Sequence, residues 1–411
     1  MRILLVTNLL PPDYEGGYEL NAWKLAVALR ERGHNVQVVT SKYRKKHRGE
    51  RPDFDWVHRI LEFRPYQDPL LGKLGRYWAF AWWQAVELRN VPAMQKYLAP
   101  EQFDVAYVFG VHDVGMGILN LIQDRGIPIL WHLGDYIYPE QRKRFDDSKF
   151  KQILASTVLK GVKARAAALR LENAAFISKY LQEEFEARGE KAGKSYVIPR
   201  GIEFELHRDV DRLRIAPPAF TVAGRLVPDK GFHVAIQAAR DLLKRRPDLN
   251  WQLQLVGSGN PIYEESLKKT IAVDPELQRR VHFLGRKTRA QVVEIFKAST
   301  AFISASTWEE PFGNTNIEAM AAGTPIIASK SGGILEIVEN ERTALVYPKE
   351  SWEQLSLAME RILTEEGLSR KLALNALKDV EERFAFSKIF DRTEAVLREV
   401  AGHPVGEKKA A

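Results

Sequence analysis

The chain has 411 residues, 45% of them hydrophobic and 28% charged, which is enough for two cores of about 100–200 residues each. It contains no cysteine, which excludes disulfides, thiolate metal sites and a cysteine nucleophile. A formal charge of +8 favours anionic partners but does not choose among nucleic acid, lipid headgroups and phosphorylated metabolites.

The opening "MRILLVTNLLPP" reads as a buried strand, its apolar run being too short and wrongly finished for a signal peptide. An amphipathic stretch, "YELNAWKLAVALRERG" (18–33), and a second strand, "NVQVVT" (35–40), follow. "SKYRKKHRGER" (41–51) carries six Lys or Arg against one Glu and reads as a loop with a positive field. "LGKLGRYWAFAWWQAVELRN" (71–90) is an aromatic helix, "FDVAYVF" (103–109) and "IPILWHLG" (127–134) are strands around the helical "NLIQDRG", and 149–174 is a basic amphipathic stretch. Continuous apolar strands joined by helices indicate a doubly wound parallel sheet buried on both faces. No run reaches the ~18 apolar residues that span a bilayer, so the expected location is cytoplasmic or peripheral at the cytoplasmic membrane face.

After a Pro-rich, charged linker at 196–220 the rhythm restarts. "AFTVAGRL", "WQLQLVGSG", "VHFLG", "TAFISAS", "TPIIAS" and "ALVY" are the strands of a second domain. In such sheets ligands bind outside the carboxyl ends of the strands. The loops there are "GRLVPDKG" (224–231), "GSGNP" (257–261), "GRKT" (285–288), "STWEEPFGN" (306–314) and "SKSGG" (329–333). Glycine lets backbone N–H groups approach an anion, and neighbouring Arg or Lys neutralises it. "GSGN" lacks the further spacing of a dinucleotide fingerprint. Asp53/Asp55 and Asp209/Asp211 form Asp-x-Asp triplets in charged irregular segments and read as solvated; no His cluster has metal spacing.

Several motifs in order resemble the retaining family-4 glycosyltransferases of the GT-B fold: "GGYELNAWKLAVALRERGHNVQVVT", "FISKYLQEEF" with "VIPRGIE", "AGRLVPDKGF", and "EEPFGNTNIEAMAAGTPIIASKSGGILEIV". The resemblance covers the first 40 residues and most of 176–390, and its last two motifs are the specific ones. It implies two Rossmann-like domains facing each other across a cleft. The expected segments are 1–200 on the acceptor side, 201–384 for the nucleotide sugar, and 385–411 as a helix returning to the first domain followed by a polar tail. It also implies hexosyl transfer from a nucleoside diphosphate sugar to an unidentified hydroxyl acceptor, with no cofactor and no essential metal. The 41–51 loop and the stretches 71–90 and 149–174 would let the first domain sit on anionic lipid, which favours a lipid-linked or phosphorylated acceptor.

Under that resemblance Arg225 and Lys230 bind the donor diphosphate, Arg as a planar fork and Lys as a point charge. Glu310 accepts hydrogen bonds from hydroxyls of the transferred sugar, and Glu318 from the ribose. Phe312, Gly313, Asn314 and Thr315 form the loop whose N–H groups face phosphate at a helix start, with Asn314 and Thr315 as competent caps. Glu318 also reads, more blandly, as an acid complementing the helix dipole. Gly16 and Gly17 open the first helix where backbone meets donor and acceptor.

The first domain departs from the family pattern, because aligning on Asp135 puts Gly134 where a histidine is expected. His132, two residues earlier on an extended strand, faces the same side and is one substitute or else a core histidine; His112 beside Asp113 is another. Rival functions are a nucleotide-sugar epimerase of similar architecture, a non-catalytic lipid- or carbohydrate-binding relative, and, on charge alone, a nucleic-acid binder.

Overall fold

The computed structural model describes residues 1–14, 16–44, 54–63, 86–99, 102–111, 113–136, 169–203 and 217–403. The chain divides into two units, one of Met1–Ile177, Leu181–Ile198 and Phe390–Ala411, the other of Ser178–Tyr180 and Pro199–Ile389.

Among the described residues the first unit holds seven strands: β1 Arg2–Thr7, β2 Asn35–Ser41, β3 Val57–Leu61, β4 Val105–Phe109, β5 Ile129–Leu133, β6 Asn173–Phe176 and β7 Lys194–Val197. They pair in parallel in the order β3-β2-β1-β4-β5-β6-β7. Every residue of β4 and β5, and all but the first of β1, is buried, as a sheet covered on both faces requires. The strands that the sequence does not announce are β3, β6 and β7. β3 and β7 are edge strands of mostly half-exposed residues, and β6 is the four-residue "NAAF", so none of the three carries a long apolar run. β6 also takes Asn173 and Ala174 from the end of the basic stretch read as helical; residues 149–168 of that stretch lie outside the described residues.

In the second unit the six anticipated runs form β8 Ala219–Ala223, β9 Gln252–Val256, β10 Val281–Gly285, β11 Ala301–Ser304, β12 Ile326–Ser329 and β13 Ala344–Tyr347. Their order is β10-β9-β8-β11-β12-β13, again with parallel pairs. Phe220, Val222, Leu253, Leu255, Ile303 and Ile327 point into a core closed by Phe232, Leu355 and Met359 from the helices Phe232–Arg245 and Trp352–Thr364.

Strand order reverses between β1 and β4 in one sheet and between β8 and β11 in the other. Loops that leave the carboxyl ends of neighbouring strands diverge at such a point and open a crevice for ligands.

Candidate functional site

Both specific motifs lie at the switch point of the second sheet. After β8, Gly224 and the exposed Arg225 lead to a 3-10 turn, Pro228–Lys230, that ends on Gly231 in the left-handed region (φ 66°). A Cβ at Gly231 would sit 1.7 Å from the carbonyl oxygen of Ala305, so this loop touches the backbone that follows β11. Thr307 N donates to Asp229 O (2.9 Å) and Ser306 Oγ to the same oxygen (3.0 Å), joining the two loops. The "GSGNP" glycines serve the same packing. Added Cβ atoms at Gly257 and Gly259 would stand 1.8 Å from Gly224 O and 2.3 Å from Leu226 O, so their proximate role is to let backbones meet.

This docking brings Lys230 and Glu310 together. Lys230 Nζ donates to Glu310 Oε1, which also accepts from Ser306 Oγ at 2.8 Å. The glutamate side chain is one-tenth exposed and the lysine about a quarter. Buried ion pairs are weak stability devices, because desolvation offsets most of the attraction. One at the ligand end of a sheet is therefore better explained by chemistry than by folding. The loop holding Glu310 is fixed on several sides. Gly333 N donates to Glu310 O (2.8 Å), Glu310 N to Ser331 Oγ (3.3 Å), Ser329 Oγ to Ser306 O (2.8 Å), and Ser178 Oγ to Pro311 O.

The helix Asn314–Ala321 starts differently from expectation. Gly313 is its N-cap, in the left-handed region (φ 93°), and no side chain caps it; Asn314 is the first helical residue. A non-glycine residue there would press a Cβ to 2.8 Å from Asn316 Nδ2 and 2.9 Å from Ile334 Cγ1. Phe312 is buried and packs edge-on against Phe384 (centroids 5.9 Å apart), so its ring anchors the loop. The first turn holds no acid, and Glu318 is the fifth helical residue. The dipole reading weakens accordingly, since that effect fades beyond the first turn. Its charge partner is Arg289, whose Nη2 lies 3.4 Å from Oε1.

In the first unit Gly16 is the extended N-cap of the helix Gly17–Glu31, and its N–H donates to Glu19 Oε2 (3.1 Å). His132 is buried on β5. Its ring stacks on Phe109 (4.5 Å), its Nδ1 pairs with the Tyr107 hydroxyl (3.0 Å), and burial lowers its pKa to about 3. It is a neutral imidazole at ordinary pH. Tyr18 donates its hydroxyl to His132 O and lays its ring where a Gly134 Cβ would come within 2.7 Å of Tyr18 Cε2. A side chain at 134 would therefore force the Tyr18 ring to shift, a physical reason for the glycine. Burial and the nearby Asp135 charge raise the Tyr18 pKa well above its usual value. His112 lies outside the described residues. Its neighbour Asp113, after β4, accepts from Asn8 Nδ2 (3.1 Å) after β1, at the switch point of this sheet. Among the described residues no group of three or more His, Asp or Glu is placed to hold a metal ion.

Sequence reading does not single out Ser306, Arg289 or Tyr18. Ser306 sits in a quoted loop four residues before Glu310, a usable signal, whereas Arg289 and Tyr18 meet their partners only through the fold.

Comparison with known proteins agrees with this geometry. A model described as Glycosyltransferase Family 4 matches residues 15–206, and one described as Glycosyl transferases group 1 matches 204–379. An uncharacterized glycosyltransferase of Methanocaldococcus jannaschii is 25% identical over 97% of this chain and 98% of its own length. Two solved structures share the fold. Anabaena HepE in complex with UDP-glucose has a TM-score of 0.68 and 22% identity, covering 97% of this chain and 100% of that one. Sucrose-phosphate synthase of Thermosynechococcus elongatus has a TM-score of 0.70 and 22% identity, covering 98% and 99%. With two Rossmann-like units, each on a parallel sheet, and with family models that meet near residue 205, the chain belongs to the family-4-like glycosyltransferases of the GT-B fold.

Proposed function

We propose that this glycosyltransferase moves a hexosyl group from a nucleoside diphosphate sugar to a hydroxyl acceptor with retention at the anomeric carbon and without an essential divalent metal. The observation that carries the reading is the Lys230–Glu310–Ser306 cluster at the second switch point, with Arg225 exposed on the same loop as Lys230. As the glycosidic bond breaks, charge accumulates on the departing diphosphate. Arg225, Lys230 and the N–H groups at the Gly313–Thr315 helix start would meet it, a preorganised electrostatic contribution. Glu310 would accept hydrogen bonds from sugar hydroxyls and Glu318 from the ribose. The acceptor hydroxyl would attack from the face that the diphosphate leaves, giving retention. On the acceptor side His132, Asp135 and His112 are the candidates. The neutral, buried His132 fits an orienting role, through Tyr107 and Tyr18, better than that of an ionising acid.

UDP-glucose is the first donor to try, since it is bound in the Anabaena structure of the same fold. Thermal shift with UDP, GDP and ADP identifies the base, because ligands of the folded state alone raise apparent stability. NMR of the product's anomeric proton then reads stereochemistry, and EDTA should leave turnover unchanged. Lys230→Ala and Arg225→Ala should each cost ~2–4 kcal/mol of transition-state stabilisation. Single-turnover rates within about threefold of the parent would remove both residues from the leaving-group role. Epimer formed without acceptor would replace transfer by epimerisation.

A further inference from the structure

Arg289 is the first residue of the helix Arg289–Lys297, which Thr288 and Gln291 already cap: Thr288 Oγ1 accepts from Gln291 N (3.3 Å), and Thr288 N donates to Gln291 Oε1 (3.0 Å). A cation there opposes the positive end of its own helix dipole. Glu318, the fifth residue of the neighbouring helix, gains little from its own dipole. Neither charge is explained by its own helix dipole, and the two face each other. They approach to 3.4 Å, with the carboxylate about one-fifth and the guanidinium one-third exposed. The pair stands near the starts of the helices that follow β10 and β11, at the ligand end of the second sheet. The guanidinium addresses Oε1 of the carboxylate through Nη2.

We propose that Arg289 is a positioning residue that holds the Glu318 carboxylate in the orientation that reads the ribose hydroxyls of the nucleotide. This rests on the nucleotide-sugar reading given above. A vicinal diol presents two O–H donors, and a carboxylate offers two acceptor oxygens with about four lone-pair sites, so one Arg contact on Oε1 leaves capacity for both. The always-charged guanidinium, 3.4 Å from Oε1 through Nη2, draws one end of the carboxylate towards it. The countercharge also limits the cost of keeping a partly buried carboxylate aimed at the ligand.

Titration calorimetry with UDP, ADP and GDP, each against its 2′-deoxy counterpart, tests this on the full chain and on Arg289→Gln, Arg289→Lys and Glu318→Gln. The parent should bind its preferred ribonucleotide about tenfold more tightly than the 2′-deoxy form, the loss of one hydrogen bond to a charged acceptor. Arg289→Gln should bring that ratio to about twofold or less, with the ribonucleotide losing more affinity than the 2′-deoxy form, which keeps only its 3′-hydroxyl contact. Glu318→Gln should do the same, and Arg289→Lys should fall between. A parent-like ratio in Arg289→Gln overturns the positioning role while leaving the nucleotide reading intact. Parallel loss of both affinities overturns it in favour of a structural one. No discrimination in the parent removes the ribose role of Glu318 and this inference with it, and failure of all three nucleotides to bind removes the donor reading itself.

Discussion

A methyl group at residue 231 would have to occupy the carbonyl oxygen of Ala305, and at φ 66° any side chain is strained as well. Gly231→Ala should therefore destabilise the second unit by about 1–3 kcal/mol or more and pull Lys230 from Glu310. Thermal unfolding checks the first part and single-turnover rates the second; an unshifted midpoint would show that the loop yields. Gly16 is the contrasting case. Its backbone is extended, a Cβ there meets nothing within 4 Å, and it caps a helix, so Gly16→Ser should change stability by no more than about 0.5 kcal/mol. Lost activity in that folded variant would give Gly16 the ligand contact expected of it; unchanged activity would leave only the turn. At this scale Lys230, Glu310 and Glu318 were legible as chemistry in one dimension. Their partners Ser306 and Arg289 were not, because pairing across loops and helices leaves no mark on spacing.

At the scale of elements, the last helix, Phe386–Val400, begins in the second unit and from Phe390 belongs to the first. Its Glu394 is nearly buried. It accepts from Arg398 Nη2 (2.7 Å) and Arg32 Nη1 (2.8 Å) and pairs with His34 Nε2 (2.9 Å), while Asp391 binds the other arm of Arg32. Despite burial these donors lower the Glu394 pKa from 4.5 to about 2, and burial lowers that of His34. A depressed carboxylate pKa means stability that is present above pH 4.5 and lost as pH falls towards 2. His34 acts in the same direction, since below its ordinary 6.5 the unfolded chain takes the proton more readily. Glu394→Gln should cost about 2–4 kcal/mol at pH 7, with the difference shrinking between pH 4.5 and 2. Urea midpoints across that range measure it, and equal midpoints at pH 7 would reduce the cluster to a surface ornament. A helix within 385–411 was expected from the family resemblance; the buried acid that docks it was not, because Arg32 and His34 lie some 360 positions away in sequence.

At the scale of the whole molecule, charge bears on the acceptor. No helix among the described residues is long and apolar enough to cross a membrane. The +8 balance and the basic run at 41–51, of which residues 45–51 lie outside the described residues, motivate the proposal of an acceptor held at an anionic lipid surface. Neutralising Lys45, Lys46 and Arg48 together should weaken binding to anionic vesicles by about 1 kcal/mol per charge, with donor hydrolysis in solution nearly unchanged. Cosedimentation at low and moderate salt reads this out. A parent protein that stays in the supernatant at low salt would point to a soluble phosphorylated acceptor. The aromatic segment 71–85 lies outside the described residues and does not bear on this choice.

By itself the sequence determined the buried strands, the restart of the α/β rhythm, and the loops that end in glycine, cation and acid. These are local properties, because a strand buried on both faces must be apolar throughout and a tight turn needs particular residues. Tertiary structure alone decided the edge strands β3 and β7, the Gly313 cap, the Lys230–Glu310–Ser306 cluster, the Arg289–Glu318 pair and the close approach of Tyr18 to position 134. The reason is common to all of them. Each depends on which segments the order of strands makes neighbours, and in a doubly wound sheet that order brings the loop after β8 beside the loop after β11, some 80 residues further along the chain.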